Sequence, residues 1–154
     1  MTQQITDPFI WEDEEWIFLR AEDIYSLFDP EAFGLMPEMS STACYKGFVV
    51  QFRVTEKQLY LDKLWVYCEN DSYPPINGIE PKDDDDIDYG MKLYDNINLK
   101  LSYSGVMIVG REMMDRFQGR AFTGPHSYRI THELTFKDGM LVDSKETSGS
   151  YVGF

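Results

Sequence analysis

Gly47-Phe48-Val49-Val50-Gln51-Phe52-Arg53-Val54-Thr55-Glu56-Lys57-Gln58-Leu59-Tyr60-Leu61-Asp62-Lys63-Leu64-Trp65-Val66-Tyr67-Cys68 reads as two apolar runs joined by a polar turn at Thr55-Glu56-Lys57-Gln58. In the first run Phe48, Val50, Phe52 and Val54 share one face and Gln51 and Arg53 take the other, the period of two that marks a half-buried strand. In the second run Leu59 and Leu61 keep one parity, and Leu64 and Val66 take the opposite one. A bulge at Asp62-Lys63 would keep the apolar face inward across that slip. The stretch is therefore expected to form an antiparallel hairpin on which the remaining strands assemble.

Working outward, a second hairpin is the next clearest feature. Tyr128, Ile130, His132, Leu134 and Phe136 alternate with Arg129, Thr131, Glu133, Thr135 and Lys137, and Asp138-Gly139 supplies a two-residue turn before Met140-Leu141-Val142. Val106-Met107-Ile108-Val109 suits a central strand; Trp16-Ile17-Phe18-Leu19 fits a short buried strand or the entry to a helix, and the strand is favoured. Ile24, Leu27 and Phe28 stand at helical spacing before Asp29-Pro30 and predict one short helix. Met113, Met114 and Phe117 before Gly119 predict a second over 111–118. Residues 30–41 read as a loop that lays Phe33, Leu35 and Met36 on the core. The sum is an α+β chain, mainly β: a curved antiparallel sheet or barrel-like sandwich with two short helices, in one domain over residues 1–154.

The chain carries 27 acidic and 14 basic residues, a formal net charge of -13. Binding to nucleic acid or to an anionic membrane needs clustered Lys and Arg, so both partners are disfavoured and a basic protein partner is favoured. High acidity that serves solubility alone is the competing explanation. No basic stretch followed by an apolar run opens the sequence, and no run reaches membrane-spanning length, so a cytoplasmic location is expected. Cys44 and Cys68 are too few for a disulfide scaffold. They fall on the apolar parity of the first hairpin, close to being cross-strand neighbours, and read as two buried thiols.

Residues 69–90 hold Asn70-Asp71-Ser72, Tyr73-Pro74-Pro75, Asn77-Gly78 and the run Asp83, Asp84, Asp85, Asp86, Ile87, Asp88, which together predict a solvated, mobile acidic loop. Asp84, Asp86 and Asp88 alternate like the start of a calcium loop, but Tyr89 stands where the sharp turn requires glycine and Asp95 where a bidentate Glu belongs. His126 and His132 with the two cysteines lack the short spacing of a zinc site, and His132 on an inward parity reads as a core histidine. Neither cysteine neighbours a helix start or the basic residues that would hold a nucleophilic thiolate. No phosphate loop, dinucleotide fingerprint or nucleophile elbow is present, so no cofactor is implied. A carboxylate or histidine site assembled only in three dimensions stays open, as does a lipocalin-like barrel that carries a small apolar ligand.

Thr42-Ala43-Cys44-Tyr45-Lys46-Gly47, Leu59-Tyr60-Leu61-Asp62-Lys63-Leu64, Tyr73-Pro74-Pro75-Ile76-Asn77-Gly78 and Glu133-Leu134-Thr135-Phe136-Lys137-Asp138-Gly139 resemble small bacterial proteins of the immunity type, over residues 41–143. The resemblance implies a cytosolic, non-enzymatic protein that binds a toxin made by neighbouring genes and blocks its active site; it identifies no contact residue. The acidic composition points the same way. On that expectation Asp83, Asp84, Asp85, Asp86 and Asp88, together with Glu12-Asp13-Glu14-Glu15, steer a cationic partner, and Tyr73 and Tyr89 anchor it.

Overall fold

The computed structural model describes residues 3–84, 90–120 and 123–151. It is mainly β, a ten-stranded sheet bent into a ring. The first hairpin forms as its alternation requires: β3 (Phe48–Thr55) pairs antiparallel with β4 (Gln58–Val66), and the turn residues Glu56 and Lys57 both adopt positive φ. The register runs Gln51↔Lys63 and then Phe52↔Leu61, so Asp62 is the extra residue of the bulge. Leu59, Leu61, Leu64 and Val66 are thereby all fully buried. The bulge is tied down from outside, where Asp62 accepts from Gln51 Nε2 at 2.9 Å and its carbonyl accepts from Ile97 N at the same distance.

β1 (Asp7–Trp11) and β2 (Glu14–Ala21) form another tight hairpin, with both Glu12 and Asp13 at positive φ. β1 then pairs with β3 in parallel, Phe9 opposite Phe52, the one parallel pair among the described strands and a departure from the all-antiparallel expectation. β8 (Gly105–Met113) lies centrally between β2 and β9 (Tyr128–Lys137), and β9 turns through Asp138-Gly139 into β10 (Met140–Glu146). The ring closes where Met140 meets Gln58. Three short strands, β5 (Lys82–Asp83), β6 (Lys92–Tyr94) and β7 (Leu99–Lys100), finish the sheet, and β6 and β7 occupy the remaining edge of β4.

Inside the ring Phe9, Phe52, Leu59, Leu61, Leu64, Met107, Val109 and Leu134 are fully buried and belong to one apolar cluster, so side chains fill the barrel axis. At the end where β3 begins, the short helix α1 (Ile24–Leu27), the one α-helix among the described residues, and a 3-10 turn, Pro30–Phe33, stopper the barrel: Phe28 packs on Phe48 and Phe33 with ring centroids 5.5 and 5.7 Å away. Asp23 caps α1 by accepting from Ser26 N. Leu35 is buried as expected, while Met36 is exposed.

Two local expectations are corrected. The helix over 111–118 does not form: residues through Met113 continue β8, paired with β9 as far as Tyr128, and only Asp115–Phe117 make a 3-10 turn. Long-range pairing with a ten-residue strand outweighs one amphipathic turn. The cysteines are both free and buried, but they pack in separate clusters: Cys68 with the inner core and Cys44 with Val49 and Met91 in a second one, which separates them instead of making them neighbours. Burial pushes both thiols up from the ordinary cysteine range.

Candidate functional site

The segment expected to be a solvated loop is fastened over residues 69–84. Ile76 is buried, Tyr94 Oη donates to the Pro74 carbonyl at 2.7 Å, and Asn77 Nδ2 donates to the Ile97 carbonyl at 2.7 Å. Pro74-Pro75 and Asn77-Gly78 thus act as turns that bring one apolar residue inward. Tyr73, expected as an anchor, has its ring against the core; its hydroxyl accepts from Cys68 N at 2.8 Å and bonds the Cys68 carbonyl at 3.3 Å. Burial raises its phenol above the ordinary tyrosine range. Asp83 pairs with Lys92, and Asp84 accepts from Trp65 Nε1 at 2.8 Å. Asp85, Asp86, Asp88 and Tyr89 lie outside the described residues.

A different acidic site is assembled at the opposite end of β3 from the helix. Here the β1–β2 turn, the β3–β4 turn and the first residues of β10 surround an open cleft of about 640 Å³. Trp11, Glu12 and Asp13 line it from the first turn, Val54, Thr55, Glu56 and Lys57 from the second, and Leu141, Val142, Asp143 and Ser144 from β10. Four carboxylates, those of Glu12, Asp13, Glu56 and Asp143, face one ammonium, that of Lys57. All five residues are exposed, and no ion pair among the described residues takes up any of the four carboxylates. Both turns are tight hairpins with two residues at positive φ, so each pair of charges is placed by the two strands that it joins.

The first wall is held from behind by aromatic packing. Trp11, Trp16 and His132 meet ring to ring, with centroids 5.0 to 5.4 Å apart. The Arg111 guanidinium lies over Trp16 at 3.9 Å, pairs with Glu14 at 3.1 Å and donates to the Glu15 carbonyl at 3.3 Å, fixing the start of β2. His132 Nε2 is 3.9 Å from Glu146 Oε1, and its other ring nitrogen is buried without a protein partner, as is Trp16 Nε1. The half-buried imidazole stands behind Trp11, edge-on to both indoles, and is not among the residues that line the cleft. His126 is elsewhere, edge-on to Phe117 at 5.2 Å.

β10 gives the cleft its third side. It pairs with β4 only at its first residue, while Leu141 N donates to the Lys57 carbonyl at 2.7 Å, and then runs on past the β3–β4 turn. A register shift at Leu141/Asp143 bends it there, and every residue from Val142 to Glu146 is exposed. A smaller cleft of about 320 Å³ lies between residues 3–7 and 44–46; its Asp7 is already neutralised by Lys46 at 2.5 Å and accepts from Val50 N at 2.9 Å.

Among the described residues no group of three or more His, Cys, Asp or Glu side chains is placed to hold a metal ion, and no helix is long and apolar enough to cross a membrane. The chain was compared with protein-family models, with curated proteins and with solved structures. None of the three comparisons returns a match. The cleft was not legible locally because its residues come from two turns and one strand, separated by more than forty positions each. Glu12 and Asp13 stood in the sequence as part of an acidic run, whereas Glu56 and Asp143 carry no local signal; the hairpin assignments were the only pointer to them.

Proposed function

We propose that this chain is a non-enzymatic protein-binding module of the immunity type, which recognises a basic partner through the acidic cleft and blocks it by occlusion. The carrying observation is the convergence of Glu12, Asp13 and Glu56 on two hairpin turns and of Asp143 on β10, unneutralised by ion pairs among the described residues, around one concavity. Their field adds to that of a chain with a net charge of -13 and draws a cationic surface toward the cleft. Exposed Val142 offers apolar contact once the partner is seated. The alternative of a small-ligand carrier finds its barrel axis occupied by Phe9, Phe52, Leu61 and Met107, each fully buried.

The test is capture by the tagged full chain from lysate of its own source at low salt, read by native mass spectrometry, beside a variant carrying Glu12→Gln, Asp13→Asn, Glu56→Gln and Asp143→Asn. The expected result is a stoichiometric basic protein on the wild type, released by salt and absent from the variant. Equal capture by both proteins would contradict the assignment of the cleft.

A further inference from the structure

Among the described residues, the edge of β10 beyond the ring closure has no strand beside it. Thr147 N donates to the Thr131 carbonyl at 2.9 Å, which fixes the phase of the β9–β10 ladder: residues 145 and 143 face β9 with their backbone polar groups, and Ser144 and Glu146 turn theirs away from it. Among the described residues no strand pairs with this outward edge past Met140. Residues 142–146 would span roughly 17 Å in extended form, about the length of an ordinary strand. An edge of this kind is a template for pairing with another chain.

The charges around it choose the occupant. Within the strand Lys145 stands between Asp143 and Glu146, so the choice falls to the surroundings: a second copy would carry the same acidic cleft and the same net charge of -13, and like charge opposes its approach. A strand with Lys or Arg at alternate positions would instead set its cations toward Glu12, Asp13, Glu56 and Asp143 while its backbone met Ser144 and Glu146. Val142, 60% exposed and on the cleft wall, gives that strand an apolar contact.

We propose that residues 142–146 of β10 bind an extended, basic segment of the partner protein by strand addition, with the acidic cleft receiving its cationic side chains. The proposal rests on the cleft being the binding site, and it adds that main-chain hydrogen bonds, not charge alone, hold the partner.

The experiment titrates the ¹⁵N-labelled full chain at low salt with a short synthetic peptide of alternating Lys and Val, and with the same peptide methylated at every backbone amide. Methylation keeps the side chains and charge and removes the donors a strand needs. Strand addition gives shifts and new exchange protection at the Ser144 and Glu146 amides, and binding weakened about tenfold or more by methylation. Ser144→Pro, which removes an outward N–H and no β9 bond, should block the peptide; a thermal melt establishes that the variant is folded. Equal affinity of the two peptides, with shifts confined to Glu12, Asp13, Glu56 and Asp143, would overturn strand addition and leave the cleft reading standing. Absence of any shift around the cleft would overturn both. Protection of Ser144 and Glu146 before peptide is added, in a protein that sediments as a dimer, would assign the edge to a second copy and overturn the proposal.

Discussion

Gly139 shows how much one position decides. Its φ is +82°, and a Cβ placed there would stand 1.9 Å from the Leu101 carbonyl oxygen, against the segment that seals β4 to the second hairpin. Gly139 N also donates to the Tyr103 carbonyl at 2.9 Å, and its own carbonyl accepts from Leu59 N at 2.8 Å. Gly139→Ala should cost more than about 3 kcal/mol in denaturant unfolding, because both the backbone conformation and the closure of the ring are disturbed. Gly149→Ala meets open space at nearly the same φ, +77°, and should cost only about 1 kcal/mol. The turn at Asp138-Gly139 was readable from the sequence; the pressure of Leu101 on it was not, since that contact is tertiary. Asp95 gives a prediction in pH. Partial burial pushes its carboxyl up, but Lys63 at 3.6 Å and Lys82 at 3.4 Å outweigh that and hold it below the ordinary aspartate range. A lowered folded-state pKa contributes stability above the unfolded-state value, and the contribution is lost as pH falls through the folded-state value. Asp95→Asn should therefore cost about 0.5 kcal/mol at neutral pH, with the gap to wild type closing in strong acid. The cysteines supply a third check: buried and protonated, Cys44 and Cys68 should react with a thiol reagent no faster than the chain unfolds.

At the scale of elements, both hairpins quoted from the sequence form, because strict period-two patterning and a polar turn are local signals, although β10 runs on to Glu146, past the Met140-Leu141-Val142 that its apolar residues marked. The bulge at Asp62 was legible for the same reason: it is the one residue that reconciles Leu59 and Leu61 with Leu64 and Val66 on a single inward face. Deleting Asp62 should turn one pair of leucines outward or break the ladder and cost more than about 4 kcal/mol, read as loss of a cooperative thermal transition. Asp62→Asn, which keeps the residue count, should be far milder. The parallel pairing of β1 with β3 and the strand continuation through Met113 were illegible for one shared reason. Each is decided by an edge that lies far away in sequence, and nothing in Asp7–Trp11 or in Met113, Met114 and Phe117 encodes which edge is free.

At the scale of the whole molecule, the acidity of the chain was plain from composition, while its useful concentration was not. The sequence pointed to Asp83, Asp84, Asp85, Asp86 and Asp88 and to Glu12-Asp13-Glu14-Glu15; the ring places Glu12 and Asp13 of the second group beside Glu56 and Asp143, pairs Asp83 with Lys92 and gives Asp84 a hydrogen bond from Trp65. The central claim is that the cleft, and not that run, receives a basic partner. It is tested most directly by stopped-flow association of the captured partner at low and high salt with three proteins: wild type, the four-fold neutral cleft variant, and a variant with Asp83, Asp84, Asp85 and Asp86 changed to Asn. The account expects wild type and the Asp83–Asp86 variant to associate rapidly at low salt and to slow about tenfold or more at high salt, and the cleft variant to be slow at both. Rapid, salt-sensitive association of the cleft variant, with the Asp83–Asp86 variant slow, would contradict it.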